Sequence, residues 1–269
     1  MTYWTRGLAL TTVFALAAPG VMALPGVDLE AGGGATFPSL NGGGFGDEYS
    51  LTDSGGSEEN LNLSAENGFY LAGRVGVPIL PDVKLRYETL NFSNSDFNRE
   101  FQFGDQTFNA EGEIYLDMSY LDTALVYGIP DLVPGFDYFI DFGVNLRWLL
   151  GGVEAEVEGQ SERQSEDFPV IPLPSGHLAA GVTIPVANVQ LSGELNTLPL
   201  DGLSYNDWNV KARWFLPLPI NMLAQLGIEA GYRSWIVDID GSEATWMGAD
   251  DLKIDFDTSG YFVGTGISF

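Results

Sequence analysis

The 269-residue chain has no cysteine and a single histidine, His177. The first absence excludes disulfide frameworks and thiolate metal sites. The second excludes a metal site built from several histidines. Cations are scarce too. Eleven lysines and arginines stand against 37 acids, a formal net charge of −26, which argues against binding nucleic acid or anionic lipid surfaces through charge. Long apolar runs are also missing, and a membrane-crossing helix needs roughly 20 consecutive apolar residues.

What is present points to β-structure. The chain carries 34 glycines and 13% aromatic residues, with few stretches of strong helix formers. Its N-terminus reads as a secretory leader over residues 1–23. Arg6 supplies the positive end, and residues 8–18 form an apolar core. Pro19 and Gly20 break the helix, and Val21, Met22 and Ala23 give the small-x-small cleavage pattern. About 11 apolar residues are too few to cross a bilayer of roughly 30 Å. The remainder, 24–269, reads as one domain.

Period-two alternation dominates from there on. Tyr138, Ile140, Phe142, Val144, Leu146 and Trp148 share one strand face, and Phe139, Asp141, Asn145 and Arg147 the other. Trp208, Val210, Ala212 and Trp214 alternate with Asn209, Lys211 and Arg213. Comparable patterns cover 27–37, 69–77, 83–92, 189–196, 226–236 and 252–269, with looser ones at 112–127 and 175–184. Near Tyr120 and near Ser259 the alternation slips by one, which predicts bulges.

The connections sort into two kinds. Those near 78–82, 129–135, 185–188 and 217–219 are short, apolar and proline-bearing. Those near 38–66, 94–110, 155–170, 197–206 and 240–250 are longer and rich in Gly, Ser, Asn and acids. The two kinds alternate strictly along the chain. An up-and-down antiparallel transmembrane β-barrel with short periplasmic turns and long external loops predicts that alternation. The expected count is ten strands, eight being the alternative. A soluble sandwich also alternates, but it would not place Trp148, Trp208 and Trp214 on the same faces as so much Val and Leu.

The chain ends with Tyr261, Val263, Thr265, Ile267 and Phe269 at every second position. This resembles the assembly signal that outer-membrane barrels present to the barrel-assembly machinery. Residues 24–30, 81–87 and 229–233, with Asp238 and Asp240, resemble a family of small Gram-negative outer-membrane β-barrel proteins without an assigned activity. The resemblance implies the fold and a location in the outer membrane among lipid and lipopolysaccharide. It implies no reaction.

Eight of the cations fall on the polar strand faces: Arg74, Lys84, Arg86, Arg147, Lys211, Arg213, Arg233 and Lys253. With them are Asp28, Glu30, Glu88, Asp141, Glu194, Glu229 and Asp255. A lipid-facing Arg or Lys at the midplane costs roughly 2–4 kcal/mol, so these groups are expected inside, paired as a ladder that fills the lumen. A filter for an anionic solute is the alternative use of the same residues. Glu154, Glu156 and Glu158 lie at i, i+2 spacing and form a weak candidate for a divalent cation, without the turn and carbonyl ligands of a strong calcium loop. No cofactor is expected. Ser175 and His177, two apart on one strand, raise the question of a hydrolase, but no orienting acid or oxyanion donors are identifiable. The expectation is therefore a non-enzymatic outer-membrane barrel with a mostly closed lumen. A narrow porin-like channel is the alternative, and a hydrolase around His177 comes third.

Overall fold

In the computed structural model, the residues described are 27–45, 49–52, 59–103, 106–129, 137–157, 164–168, 172–200, 203–218, 224–240 and 253–269. The expected leader lies outside them, as does Glu158. In chain order the strands are β1 (Asp28–Phe45), β2 (Tyr49–Ser50), β3 (Glu59–Asn60), β4 (Ser64–Ala65), β5 (Gly68–Gly76), β6 (Asp82–Glu88), β7 (Asn91–Phe103), β8 (Gln106–Asp117) and β9 (Tyr120–Gly128). The second half holds β10 (Tyr138–Leu149), β11 (Gly152–Val157), β12 (Gln164–Asp167), β13 (Pro172–Ile184), β14 (Val189–Leu200), β15 (Leu203–Phe215), β16 (Gln225–Asp240) and β17 (Lys253–Ser268).

Ten of these strands form a closed antiparallel barrel in the order β17-β16-β15-β14-β13-β10-β9-β6-β5-β1, and β1 pairs with β17 to shut the ring. In a closed ring every backbone donor and acceptor finds a partner in the next strand, so no edge is left. A second sheet, β12-β11-β8-β7-β4, continues three of the barrel strands beyond a shared break, β7 following β6, β8 leading into β9 and β11 following β10. Glu88, Tyr120 and Leu149 are register neighbours across β6, β9 and β10, and all three strands end there. Past that level the chain bends at Thr89 and Leu90, at Met118 and Ser119, and at Leu150 and Gly151. Backbone bonds hold the bend: Met118 donates to Leu90 at 2.8 Å and Leu150 to Ser119 at 2.9 Å. Gly151 is required here, because a Cβ would sit 2.0 Å from the Asp117 carbonyl oxygen.

The folded-over sheet acts as a flap. Its Phe92, Ile114, Leu116, Val153 and Ala155 pack against Leu203, Tyr205, Trp235, Val237, Ile239 and Phe256 of the opposite wall. Leu51, Leu61 and Leu63, between β1 and β5, join the same core. One end of the barrel is thereby sealed by a sandwich-like apolar core.

Polarity reverses at this level. Below the break the outer surface is apolar, with Val83, Leu85, Leu125, Phe142, Val144, Leu178, Leu191, Val210, Ile228 and Val263 exposed. The inward positions of the same strands are Asp122, Asp141, Asn145, Arg147, His177, Asn196, Asp207, Glu229 and Arg233, all buried. Above it the inward positions are apolar, while Asp255 and Asp238 are exposed outside. This reversal accounts for three departures from the sequence reading. The slip expected near Tyr120 is a break in the strand, β9 beginning at that residue and keeping one register with β6 and β10 from there on, and near Ser259 β17 carries no bulge of its own, pairing with β16 in unbroken register. The face pattern changes there because the surroundings change, not the phase. A true irregularity lies instead between Leu40 and Gly42 of β1, where the Asn41 amide reaches Asp257 Oδ1 at 3.1 Å and Ser259 Oγ at 2.9 Å. Asp255, read as lumenal across the supposed slip, alternates with the buried Phe256 and faces outward. Finally, of the stretches read as loops, the described residues 94–103, 106–110, 155–157, 164–167, 197–200 and 203–206 lie in extended strands, since polar residues outside and apolar ones inside are the pattern of a soluble sheet.

Candidate functional site

The lumen below the flap has two tiers. The upper tier is a compact network of three cations and three acids, placed by register. Asp122 on β9 sits opposite Arg147 on β10, and Asp207 on β15 lies two residues from the partner of Arg233 on β16. Arg147 binds Asp122 in bidentate fashion, Nε to Oδ1 and Nη2 to Oδ2, both at 2.7 Å. It also donates to Asp207. Arg233 bonds Asp207 through Nε at 2.8 Å and Glu88 through Nη1 at 2.9 Å. Arg86 completes the chain, with its Nη2 2.7 Å from Glu88 Oε2.

Aromatic rings roof this tier. The Arg147 guanidinium lies 3.8 Å from the Tyr120 ring centroid, 4.6 Å from that of Trp235 and 5.1 Å from that of Tyr205. Tyr120 adds a 2.7 Å bond from its hydroxyl to Glu88. Arg147 and Asp207 are almost fully buried, so their charges are tolerable only because each is paired and hydrogen-bonded.

The lower tier lines a cavity of about 430 Å³ between the network and the chain-terminal end of the barrel. On one side, Arg74 bridges Asp82 and Asp141, with Nε and Nη1 each 2.8 Å from a carboxylate oxygen. Lys84 reaches Glu194 at 3.2 Å and Asp141 at 3.9 Å. On another, Arg213 binds Glu229 through Nε at 2.9 Å, and Lys211 stands 3.5 Å from the same carboxylate. Tyr70 crosses the lumen to give Glu229 Oε1 a 2.5 Å bond. It passes where Gly264 has no side chain, since a Cβ there would lie 2.2 Å from the Tyr70 hydroxyl.

His177 faces this cavity and has both ring nitrogens engaged. Lys84 Nζ is 3.2 Å from Nε2, and Asn196 Oδ1 is 2.7 Å from Nδ1. Ser175 is buried, but its hydroxyl has no hydrogen-bond partner among the described residues. The two residues share a strand face without forming a nucleophile–base pair. Asp238 lies exposed on the outer surface.

Of the residues read from sequence, the structure joins Arg74, Lys84, Arg86, Glu88, Asp141, Arg147, Glu194, Lys211, Arg213, Glu229 and Arg233 in these ion pairs. Lys253 pairs in register with Asp240 near the outer end of β17, and its side chain is outside the described residues. Glu154 and Glu156 are exposed on β11. Among the described residues, no three acids or histidines converge to hold a metal ion. The nearby Tyr115 hydroxyl is pushed up in pKa by burial first, then by Asp117, Glu66, Glu154 and Glu113. Tyr261 and Val263 point outward, and Phe269 donates its backbone N–H to Leu29 at 2.9 Å, tying the last residue to the first barrel strand. Sequence reading missed Asp82, Asp122, Asp207 and the aromatic roof.

No family model matches the chain, and no curated protein matches it. Among solved structures, the crystal structure of a Pseudomonas aeruginosa FadL homologue matches at 10% identity. That alignment covers 90% of this chain and 89% of the other, with a TM-score of 0.22. The fold described above rests on the strand pairing itself.

Proposed function

We propose that this chain is a non-enzymatic outer-membrane β-barrel whose lumen is closed, serving a structural or surface-interaction role. The observation that carries the reading is the reversal of polarity halfway along the barrel. An apolar outside over a charged inside suits lipid, and a polar outside over an apolar inside suits water. On β10 the outward residues run from Tyr138 to Trp148, about 33 Å along the strand at roughly 3.3 Å per residue. With a tilt of roughly 40°, that spans about the 25 Å height of an outer-membrane apolar band. Rings mark the edges of the belt. Trp208, Tyr232 and Tyr261 meet at the flap side in tilted and edge-on contacts, with centroids 5.7 and 5.1 Å apart, and Trp214 lies exposed at the other.

In this reading the flap projects from the cell and both chain ends face the periplasm. The acidic extensions meet the lipopolysaccharide layer, and divalent cations bridge the two. The terminal strand, with Tyr261, Val263, Thr265, Ile267 and Phe269, is read by the barrel-assembly machinery. Membrane fractionation tests the placement. The folded chain should sediment with outer membranes and migrate faster on gels unless boiled. Recovery as a soluble periplasmic protein would overturn it.

A further inference from the structure

We propose that the cavity of the lower tier is a binding pocket for a small neutral sugar, the size of two linked rings, entering from the chain-terminal end. The proposal rests on the closed-lumen reading only in taking the cavity to have a single mouth. Its volume, about 430 Å³, falls within the range of roughly 300–1,000 Å³ typical of small-ligand pockets.

The charges of this cavity are answered within its own wall. Arg74 holds Asp82 and Asp141, and Lys84 holds Glu194. Arg86 pairs with Glu88, while Glu229 takes both Arg213 and Lys211, and Glu30 adds a second partner for Arg213. A ligand with a net charge would meet one member of a pair already formed and be repelled by the other. A cation drawn to Asp28 and Asp137, both exposed at the mouth, stays solvated outside the pocket.

The neutral groups are the ones with hydrogen bonds to spare. Gln190 and Ser192 on β14 and Asn209 on β15 line the cavity, and their side chains make no hydrogen bond among the described residues. Two amides and a hydroxyl both donate and accept, as sugar hydroxyls do. Gln190 and Ser192 share the lumenal face of β14, and Asn209 is the register partner of Glu194 on that same face. From Gln190 to the level of Asn209 is about 13 Å at roughly 3.3 Å per residue. Two linked sugar rings carry hydroxyls along such a length, whereas a nucleobase gathers its polar groups on one short edge. Beside these groups the wall is bare, because Ala179 and Gly181 of β13 pair in register with Glu194 and Ser192. Phe139 of β10 leans over that gap, its ring 2.3 Å from where a Gly181 Cβ would be. Half-buried in the cavity wall, the ring offers an apolar surface to the C–H face of a sugar.

The test uses the folded chain in micelles of a detergent without a sugar headgroup, with binding read by saturation-transfer NMR. The probes are trehalose, trehalose 6-phosphate as an anion, the glucosamine dimer as a cation, and adenine as a neutral planar base. Trehalose should bind saturably and at least about five-fold more tightly than any of the other three. Asn209→Leu and Gln190→Leu should each weaken it about five-fold, the scale of one lost neutral hydrogen bond. Phe139→Ala should weaken it by a similar factor. Ser192→Phe keeps every ion pair but fills the space between the two amides, and should abolish binding. It also decides the matter if the other variants do not fold. Absence of saturable trehalose binding, equal or tighter binding of a charged probe or of adenine, or Ser192→Phe binding like the parent would overturn the pocket. An electrically silent barrel with any of these results leaves the closed-lumen reading intact, and a conducting barrel that still binds trehalose does the reverse.

Discussion

Arg147 and Tyr120 meet face-on, the guanidinium 3.8 Å from the ring centroid, at the level where the barrel wall bends into the flap. Charge below and apolar packing above are joined at this contact. A guanidinium is weakly hydrated and planar, so it can turn one face to a ring while its edge holds carboxylates. Lysine could do neither at once. The contact explains how a fully buried charge sits directly beneath an apolar core.

Removing that guanidinium should be costly. Arg147→Met leaves Asp122 and Asp207 buried with fewer partners, a loss of about 3–5 kcal/mol for a broken buried pair. The Arg147→Met, Asp122→Asn double variant should recover most of the loss, because two cations, Arg86 and Arg233, then face two acids, Glu88 and Asp207. Urea-unfolding midpoints in micelles measure both. Equal destabilisation of the single and double variants would show that packing, rather than charge, is what was lost.

Much of the barrel was legible because one side of each strand faces a single medium. Below the break, alternation alone placed Arg147, Lys211, Arg213 and Arg233 inside and Trp208 and Trp214 outside. Where the medium changes along a strand, the same rule misled. Asp207 directly follows a polar stretch read as a loop, although Leu203, Tyr205, Asp207 and Asn209 form one unbroken inward row. Asp122 was lost beside Tyr120, where the inward row passes from Val126, Ala124 and Asp122 to Tyr120 and Met118. No local pattern marks the flap, because its sandwich depends on pairing β8 with β11, far apart in the chain. The aromatic roof draws Tyr120, Tyr205 and Trp235 from three separate strands, a convergence that only the closed ring produces.

The acidic outer extensions should loosen as pH rises. Asp255 and Asp238 are direct register partners beyond the aromatic edge of the belt. Burial first, then Asp238 and Asp257, raise the Asp255 carboxyl above its ordinary value. The folded state therefore holds this proton more tightly than the unfolded chain. The repulsion is fully present above the raised pKa and fades as pH falls through it. Hydrogen-exchange protection in the outer halves of β16 and β17 should thus increase on acidification from neutral pH toward pH 4, in the direction of the ordinary carboxylate range of about 3.9. Asp255→Asn should be as protected at neutral pH as the parent is in acid. Protection that falls on acidification would have the wrong sign.

Deletion of Phe269 should lower the yield of folded barrel in the outer membrane by several-fold while leaving the stability of the assembled fraction nearly unchanged. The residue contributes one backbone bond to Leu29, and its proposed role is recognition during assembly. Pulse-chase appearance of the heat-modifiable form separates the two effects. An unchanged assembly rate would remove the assembly-signal role.

The closed lumen is tested most directly by current across a planar bilayer containing the purified barrel. The paired upper tier, its aromatic roof and the flap core lie in series across the path, so no steady conductance should be seen at neutral pH and moderate salt. Large, stable openings from the unmodified protein would contradict the account and require a continuous aqueous path through the Arg147 network.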